Sequence, residues 1–386
     1  MEASFSPLSG MYKPHDLKGL YYGPDVVKNC LRSVLATKSS KAFIVTGNSL
    51  ATKTPLIKDL EAVLGPENFA ATFSNIKEHA TVAELDKATE QVRQDDSIDT
   101  IISVGGGSPI DSAKAIIFRI HEKSQRWLTH ITIPTTLSAA ECTIIAGYTK
   151  SDGVKTSVSH PKLYPTCIFY DPMFGLYTPQ HLFLSTGIRA LDHAVEVQYQ
   201  PYTRWMPTRL LSLTSITELF RLLPLYKANP KNEDVVTGLF LAAYASLGFV
   251  GENVASTIML SHSIGYALGS PYGIPHGITS CLTLGRTTKL VARQTKENAQ
   301  NIAAILPYIG EKRSGDDVAD CDKVGNRVLE LVSNLDLQTT LTKYKVGMDQ
   351  LDTIAERALR LNLGKRMNPK DEKLFESVRE LVKSLW

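Results

Sequence analysis

Residues 105–114 read GGGSPIDSAK and directly follow an apolar run, TIISV, at 100–104. Three consecutive glycines, Gly105, Gly106 and Gly107, let a backbone turn sharply and approach a ligand with no side chain between. Ser108 is a good helix N-cap and Pro109 suits the first helical position. Asp111, three residues after that cap, is expected to cap the helix sooner than to touch a ligand. A strand, a glycine turn and a capped helix make an anion site, because free N–H groups and the positive end of the helix dipole face one space. The chemistry is that of diphosphate binding, although the turn does not match G-x-G-x-x-G. A second turn, Thr46-Gly47-Asn48-Ser49, ends another apolar run. In NAD-selective dinucleotide enzymes an acid at this place bonds the ribose 2′-hydroxyl and repels a 2′-phosphate. Gly47 carries no such acid, and Asn48 and Ser49 could bond a phosphate. A plain turn explains Gly-Asn-Ser equally well.

The elements that would position these turns are legible. Apolar runs at 42–46, 100–104, 131–133 and 167–170 each stop at glycine, proline or Asp-Pro. Between them lie stretches of helical period, such as Leu56, Leu60, Val63 and Leu64. Strands apolar throughout and separated by helices predict a parallel sheet covered on both faces, with ligands outside the carboxyl ends of the strands. From about Pro179 the strand signal stops. Helical periods follow over 186–199, 207–223, 235–249, 289–306, 318–335 and 351–360. The expected organisation is an α/β dinucleotide-binding domain, 1–178, followed by an all-helical catalytic domain, 179–386.

Composition agrees with two globular domains. The chain has 386 residues, 43% of them hydrophobic, and 42 Lys plus Arg against 39 Asp plus Glu. At roughly 150 residues per domain, two is the natural division. Near-neutral charge gives no electrostatic reason to expect a nucleic acid or a membrane surface as partner. The longest uncharged run, 235–251, is shorter than the ~20 residues a membrane span needs and reads as a buried helix. Five widely spaced cysteines without C-x-x-C argue against a disulfide framework or a cysteine zinc site and suit a reducing cytosol. The N-terminal residues do not read as a secretory signal. Cytoplasmic localisation is expected.

GGGSPIDSAK resembles the dinucleotide-binding loop of the iron-dependent (group III) alcohol dehydrogenases, a superfamily that includes maleylacetate reductases, glycerol dehydrogenases and, more distantly, dehydroquinate synthase. Ile133-Pro134-Thr135-Thr136 resembles the turn whose threonines meet the nicotinamide. Gly187, Ala190-Leu191, His193-Ala194 and Glu196 resemble a helix start in the metal-binding region. His262 followed by Pro275-His276-Gly277 is a fourth match in the same order. The segments Thr135–Glu141, Gly153-Val154-Lys155 and Tyr170-Asp171-Pro172 look most similar to the maleylacetate reductase branch.

The resemblance implies a metal site of one Asp and three His, with the Asp four residues before the first His. His193, His262 and His276 match the histidines, and 276 − 262 = 14 is the family spacing. The Asp position is Arg189, which is always protonated and cannot ligate a cation. A divalent metal is therefore not favoured; if one is present, His193, His262 and His276 are its ligands. Asp192 is adjacent to His193, about a quarter turn round the helix, and is not expected to point the same way. Relics of the fold, hydrogen-bonded in a polar cleft, and a working acid/base or substrate-anchoring set are the two readings of the histidines. Arg189 suits a substrate carboxylate or enolate oxygen; otherwise it pairs with Asp192 or Glu196. Tyr266 stands where many relatives carry a second histidine. It is a candidate proton donor, or else a core aromatic.

By resemblance, Lys155 reaches toward the nicotinamide ribose, with a solvated loop lysine as the alternative. The function implied is NAD(P)H-dependent hydride transfer to a carbonyl or activated double bond of a small, carboxylate-bearing substrate, by a homodimer. The alternative is a lyase, isomerase or dehydratase on the same scaffold.

Overall fold

The computed structural model describes residues 11–77, 80–149, 155–201, 203, 205–252, 259–363 and 372–386. These residues form two compact units. One holds 15–179 and 229–241; the other holds 11–14, 180–228 and 242–386.

The strands are β1 (Gly19–Tyr22), β2 (Lys41–Gly47), β3 (Phe69–Ile76), β4 (Ile98–Gly105), β5 (Thr129–Pro134), β6 (Ile145–Thr149), β7 (Lys155–Ser159) and β8 (Cys167–Tyr170). Six of them make one sheet in the order β1-β8-β5-β4-β2-β3, with every pairing parallel. The helices of this unit are α1 (Val26–Cys30), α2 (Asn48–Lys53), α3 (Leu56–Asn68), α4 (Val82–Arg93), α5 (Gly107–Ser124) and α6 (Pro172–Gly175).

The continuous apolar runs have a direct cause. Side chains alternate across a strand, so Phe43 and Val45 join one core cluster and Ala42 and Ile44 the other. Leu85, Ala88 and Val92 of α4 and Ile116, Ile117 and Ile120 of α5 close the first face. Leu56, Ile57, Leu60 and Leu64 of α3 close the second. Each large apolar side chain so buried contributes about 1.5–3 kcal/mol. Helix α4 starts at a capping box: Thr81 accepts from the Glu84 amide, and the Glu84 carboxylate accepts from the Thr81 amide. Strands β6 and β7 form a separate antiparallel pair, which the sequence reading did not anticipate.

The other unit is helical: α7 (Gln180–Tyr199), α8 (Leu210–Ala228), α10 (Leu260–Tyr272), α11 (His276–Ala292), α12 (Lys296–Ala303), α13 (Asp317–Asn334), α14 (Leu351–Leu363) and α15 (Glu372–Lys383). Helix α9 (Glu233–Leu247) begins in the α/β unit and ends in the helical one. It holds most of the uncharged run, and Val236, Leu239, Phe240 and Ala243 are fully buried. No helix among the described residues is long and apolar enough to cross a membrane. The helix expected over 289–306 is broken: α11 ends at Ala292 and α12 restarts behind the N-cap Thr295, whose side chain accepts from the Asn298 amide. Residues 11–14 belong to the helical unit through the Glu252 amide, which donates to the Lys13 carbonyl at 2.9 Å.

Helices here meet at glycines. A Cβ on Gly277 would lie 2.6 Å from the Ser185 carbonyl carbon, so α11 can lie this close to α7 only with glycine there. A Cβ on Gly265 would lie 2.9 Å from Thr279 Oγ1, which brings α10 equally close to α11. These approaches decide where the side chains beside them point.

Candidate active site

In the α/β unit the glycine turn sits at the carboxyl end of β4. Gly105 has φ +139°, and a Cβ there would meet Pro109 at 2.9 Å. Gly106 is the N-cap of α5, and a Cβ on it would lie 3.2 Å from the Thr136 side chain. Gly107 has more room, with Ser138 Oγ nearest at 3.6 Å. The turn after β5 lies against it: the Thr135 amide donates to the Gly105 carbonyl at 2.9 Å. Thr178 Oγ1 in turn donates to the Thr135 carbonyl at 2.7 Å.

One expectation fails here: Ser108 is not the N-cap, and α5 begins two residues earlier than expected, at Gly107, because Gly106 already has the extended geometry a cap requires. Asp111 Oδ2 accepts from the Gly147 amide at 3.1 Å and ties α5 to β6. Gly47 has φ −91°, and a Cβ on it would come no closer than 3.4 Å, to the Ile76 carbonyl oxygen. Asn48 opens the short helix α2. Lys155 starts β7 opposite Thr149, while its side chain, with Gly153 and Val154, lies outside the described residues.

The sequence reading gave no role to Lys114, the last residue of the glycine motif. It is fully buried, and its ammonium donates to the carbonyls of Ala140 and Thr143, both at 2.6 Å, and of Ile145 at 3.2 Å. Burial pushes its pKa down, against the pull of Asp111 and Glu141. Glu141 is also fully buried and accepts from the Tyr170 hydroxyl at 2.7 Å. Burial pushes its carboxyl up.

In the helical unit, α7 is buried on every side from Phe183 to Tyr199, so its charged residues must find partners inside. Glu196 finds the start of α10. Its Oε1 accepts from the Ser261 amide at 2.7 Å and its Oε2 from the Met259 amide at 3.2 Å. A carboxylate thus satisfies the free amides of that helix end. Glu196 Oε2 also lies 2.7 Å from His262 Nδ1. Asp192 Oδ2 accepts from Ser280 Oγ at 2.6 Å and Ser261 Oγ at 3.0 Å, and lies 3.5 Å from His262 Nδ1. The His193 and His262 rings are 4.7 Å apart. Asp192 and His193 therefore both reach His262, from two sides, which the quarter-turn argument did not foresee. Neighbouring side chains on a helix diverge, but a ring placed between them meets both.

Arg189 completes the group. It is 7% exposed; Nη1 donates to Ser280 Oγ at 3.2 Å and lies 3.7 Å from Asp192 Oδ2. Its guanidinium carbon is 5.8 Å from the centre of the Tyr266 ring, which meets His276 edge-on at 5.6 Å. All five residues singled out for chemistry in this half, Arg189, His193, His262, Tyr266 and His276, thus stand in one group, with Asp192 and Glu196, the alternative partners expected of Arg189, and with Ser280, which no motif flagged. Burial, His262 and Arg189 all hold His193 well below the usual histidine range. Burial and Arg189 push His262 down as well, yet Asp192 and Glu196 outweigh them and its pKa rises. Burial opposes ionisation of Asp192, but His262 and Arg189 overcome it and its carboxyl falls. Asp192, Glu196 and His262 also offer ligand atoms within 4.8 Å of one another, a donor group a metal ion could use.

A family model described as iron-containing alcohol dehydrogenase matches residues 18–172, and one for the C-terminal part of the same family matches 183–386. The chain belongs to this family of NAD(P)-dependent oxidoreductases. Within it, the chain falls on the maleylacetate reductase-like branch. It is 31% identical over 255 residues to a maleylacetate reductase of Sphingobium indicum, covering 65% of this chain and 61% of that protein. It is 27% identical over 303 residues to a maleylacetate reductase of a Rhizobium species, covering 78% of each. The crystal structure of maleylacetate reductase from Rhizobium sp. strain MTP-10005 shares the fold, with a TM-score of 0.78 at 23% identity over 98% of both chains.

Proposed function

We propose that this chain reduces a small carboxylate-bearing substrate at a carbonyl or activated double bond, with NADH or NADPH as hydride donor and without a catalytic metal. The observation that carries the reading is Arg189, a buried fixed cation beside the Tyr266 and His276 rings. A guanidinium there suits a substrate carboxylate or a developing enolate through charge-assisted hydrogen bonds. Maleylacetate, which the related reductases carry in their names, is a keto acid with two carboxylates, and it fits such a cation. Those relatives are reductases, and nothing among them favours the lyase, isomerase or dehydratase alternative.

The dinucleotide fits the α/β unit, because Gly105 and Gly106 form a cradle that side chains would fill. When bound, the nicotinamide supplies a hydride from C4. Gly105, Gly106, Gly107 and Ser108 would receive the diphosphate, and Thr135 and Thr136 would hold the nicotinamide end. Gly47 and Asn48 leave room at the adenosine ribose, so both NAD and NADP are accepted. Toward the substrate, Arg189 would hold an oxygen or a carboxylate. Tyr266, oriented by the His276 ring, donates the proton to the oxygen or the neighbouring carbon. His193, kept neutral, lines the site with His262.

The family's metal does not fit this donor set. Arg189 puts a permanent positive charge among the histidines. Its charges are already matched within the group, with Arg189 3.7 Å from Asp192 and His262 2.7 Å from Glu196. Both Glu196 oxygens and Asp192 Oδ2 already accept hydrogen bonds, so these carboxylates are largely committed within the protein. The reading further takes the protein as a cytoplasmic homodimer. Five unpaired thiols support that compartment, and family resemblance supports the dimer.

The test is fluorescence titration with NADH and NADPH, followed by reduction of a panel of keto acids. Arg189→Gln should raise KM for carboxylate substrates about tenfold or more, with nucleotide affinity kept. Failure of both nucleotides to bind, or carboxylate turnover indifferent to Arg189→Gln, would overturn the reading.

A further inference from the structure

The sheet register brings a lysine that no motif flagged to the adenosine side of the nucleotide site. Strands β4, β2 and β3 are neighbours and end level with one another: Thr46 pairs with Val104, so Gly47 stands opposite Gly105, and Gly47 pairs with Ile76. Neighbouring strands are ~4.8 Å apart, so the three ends form a short row leading away from the glycine turn. Thr135 and Thr136, at the end of β5, lie on the other side of that turn. A dinucleotide with its diphosphate at Gly105–Gly107 and its nicotinamide toward β5 must therefore run its adenosine toward β2 and β3.

The residue leaving the sheet at the end of β3 is Lys77. Its side chain is 82% exposed, and among the described residues its ion-pair partner is Glu84, whose Oε1 lies at a loose 3.9 Å. The other Glu84 oxygen is held by the Thr81 amide, so this carboxylate steadies the lysine from one side without neutralising it in a tight pair. Next to it, Gly47 has an ordinary φ and room for a Cβ at contact distance, 3.4 Å from the Ile76 carbonyl oxygen, and residues 47–49 carry no acid. A glycine without an acid, two neutral polar side chains and an exposed ammonium are complementary to a phosphate monoester.

We propose that Lys77 is the cation that receives the ribose 2′-phosphate of NADPH, and so the residue that sets the balance between NADPH and NADH. The proposal rests on the nucleotide site assigned above. It predicts a definite NADPH advantage, where the Gly47 turn alone predicts only tolerance.

The experiment is fluorescence titration of the full chain with NADH and with NADPH, in the wild type and in Lys77→Ala, Lys77→Glu and Lys77→Arg. Lys77 is exposed, so these variants are expected to fold. A charge-assisted contact to phosphate predicts that the NADPH-to-NADH affinity ratio falls on the order of tenfold in Lys77→Ala. It should fall further in Lys77→Glu and stay near the wild-type value in Lys77→Arg. Rising salt should weaken NADPH more than NADH in the wild type, and the two more nearly alike in Lys77→Ala. A ratio unmoved by both Lys77→Ala and Lys77→Glu overturns the proposal while leaving the nucleotide site standing. Absence of binding by either dinucleotide overturns the site itself, and the proposal with it.

Discussion

Replacing Arg189 by Asp tests whether this one side chain keeps a metal out. The guanidinium and His193 are one helical turn apart on α7, and Arg189 Nη1 lies 3.7 Å from Asp192 Oδ2. At an effective dielectric of about 20, a divalent ion ~5.4 Å from a guanidinium is repelled by about 6 kcal/mol, more than four decades in affinity. Arg189→Asp removes that repulsion and adds a carboxylate one turn before His193. Without metal the variant should be weakened, because Asp192 loses its cation and a new buried carboxylate has none; about 3–5 kcal/mol is the usual cost of such an unpaired charge. Zinc should return part of it, about 2.7 kcal/mol at a hundredfold excess over Kd. Thermal unfolding with and without zinc, and metal content after dialysis, measure both effects, with Arg189→Met as the variant that lifts the repulsion without adding a ligand. The wild type should hold no stoichiometric ion and show no zinc-dependent rise in Tm. A wild type that retains one divalent ion per chain as tightly as Arg189→Asp would refute the reasoning.

Gly277→Ala should cost about 1–3 kcal/mol by overpacking, since the new Cβ would sit 2.6 Å from the Ser185 carbonyl carbon. It should also lower kcat by displacing His276, whereas Gly107→Ala, with 3.6 Å of clearance, should leave the thermal midpoint nearly unchanged. Tyr266→Phe should lower kcat on the order of a hundredfold or more with little change in KM, as loss of a proton donor does; an unchanged kcat would remove Tyr266 from the chemistry. His130, buried and facing the charge of Lys114, has its pKa pushed down to about 3. Between that value and the unfolded ~6.5 the unfolded chain binds a proton that the folded chain refuses, so stability falls as pH falls through this window. At pH 4.5 the loss is about 3 kcal/mol, and urea midpoints at pH 7 and 4.5 should differ less in His130→Gln than in the wild type.

What the sequence disclosed followed burial. Strands β2, β4, β5 and β8 are covered on both faces and read as unbroken apolar runs. Strand β3 is an edge strand of mixed burial, FAATFSNI, and β1 is only four residues long, so neither gives a clean period. The β6–β7 pair is set by contacts with α5 and by Asp111, which no local pattern encodes. The glycine turn was legible because Gly105 needs its φ, but the helix start was misplaced by two residues because Ser108 is a better cap by type than Gly106. Arg189 and the three histidines were found through family spacing. The serines around them were not, because Ser261 and Ser280 approach Asp192 from 69 and 88 residues away. Asp192 and Glu196, acids one turn apart on a helix otherwise apolar enough to be buried on all sides, signalled the internal polar group that these serines complete.

Lys114 behaves like a potassium ion that cannot diffuse away. Three main-chain carbonyls and the Thr143 hydroxyl surround its ammonium as oxygen ligands surround a captured alkali cation, but a covalent tether to α5 replaces binding equilibrium. The shape of the 140–145 turn is therefore insensitive to which salts the solution contains and to any chelator. The chain carries its counter-charge inside one helix, so forming α5 and ordering that turn become a single event.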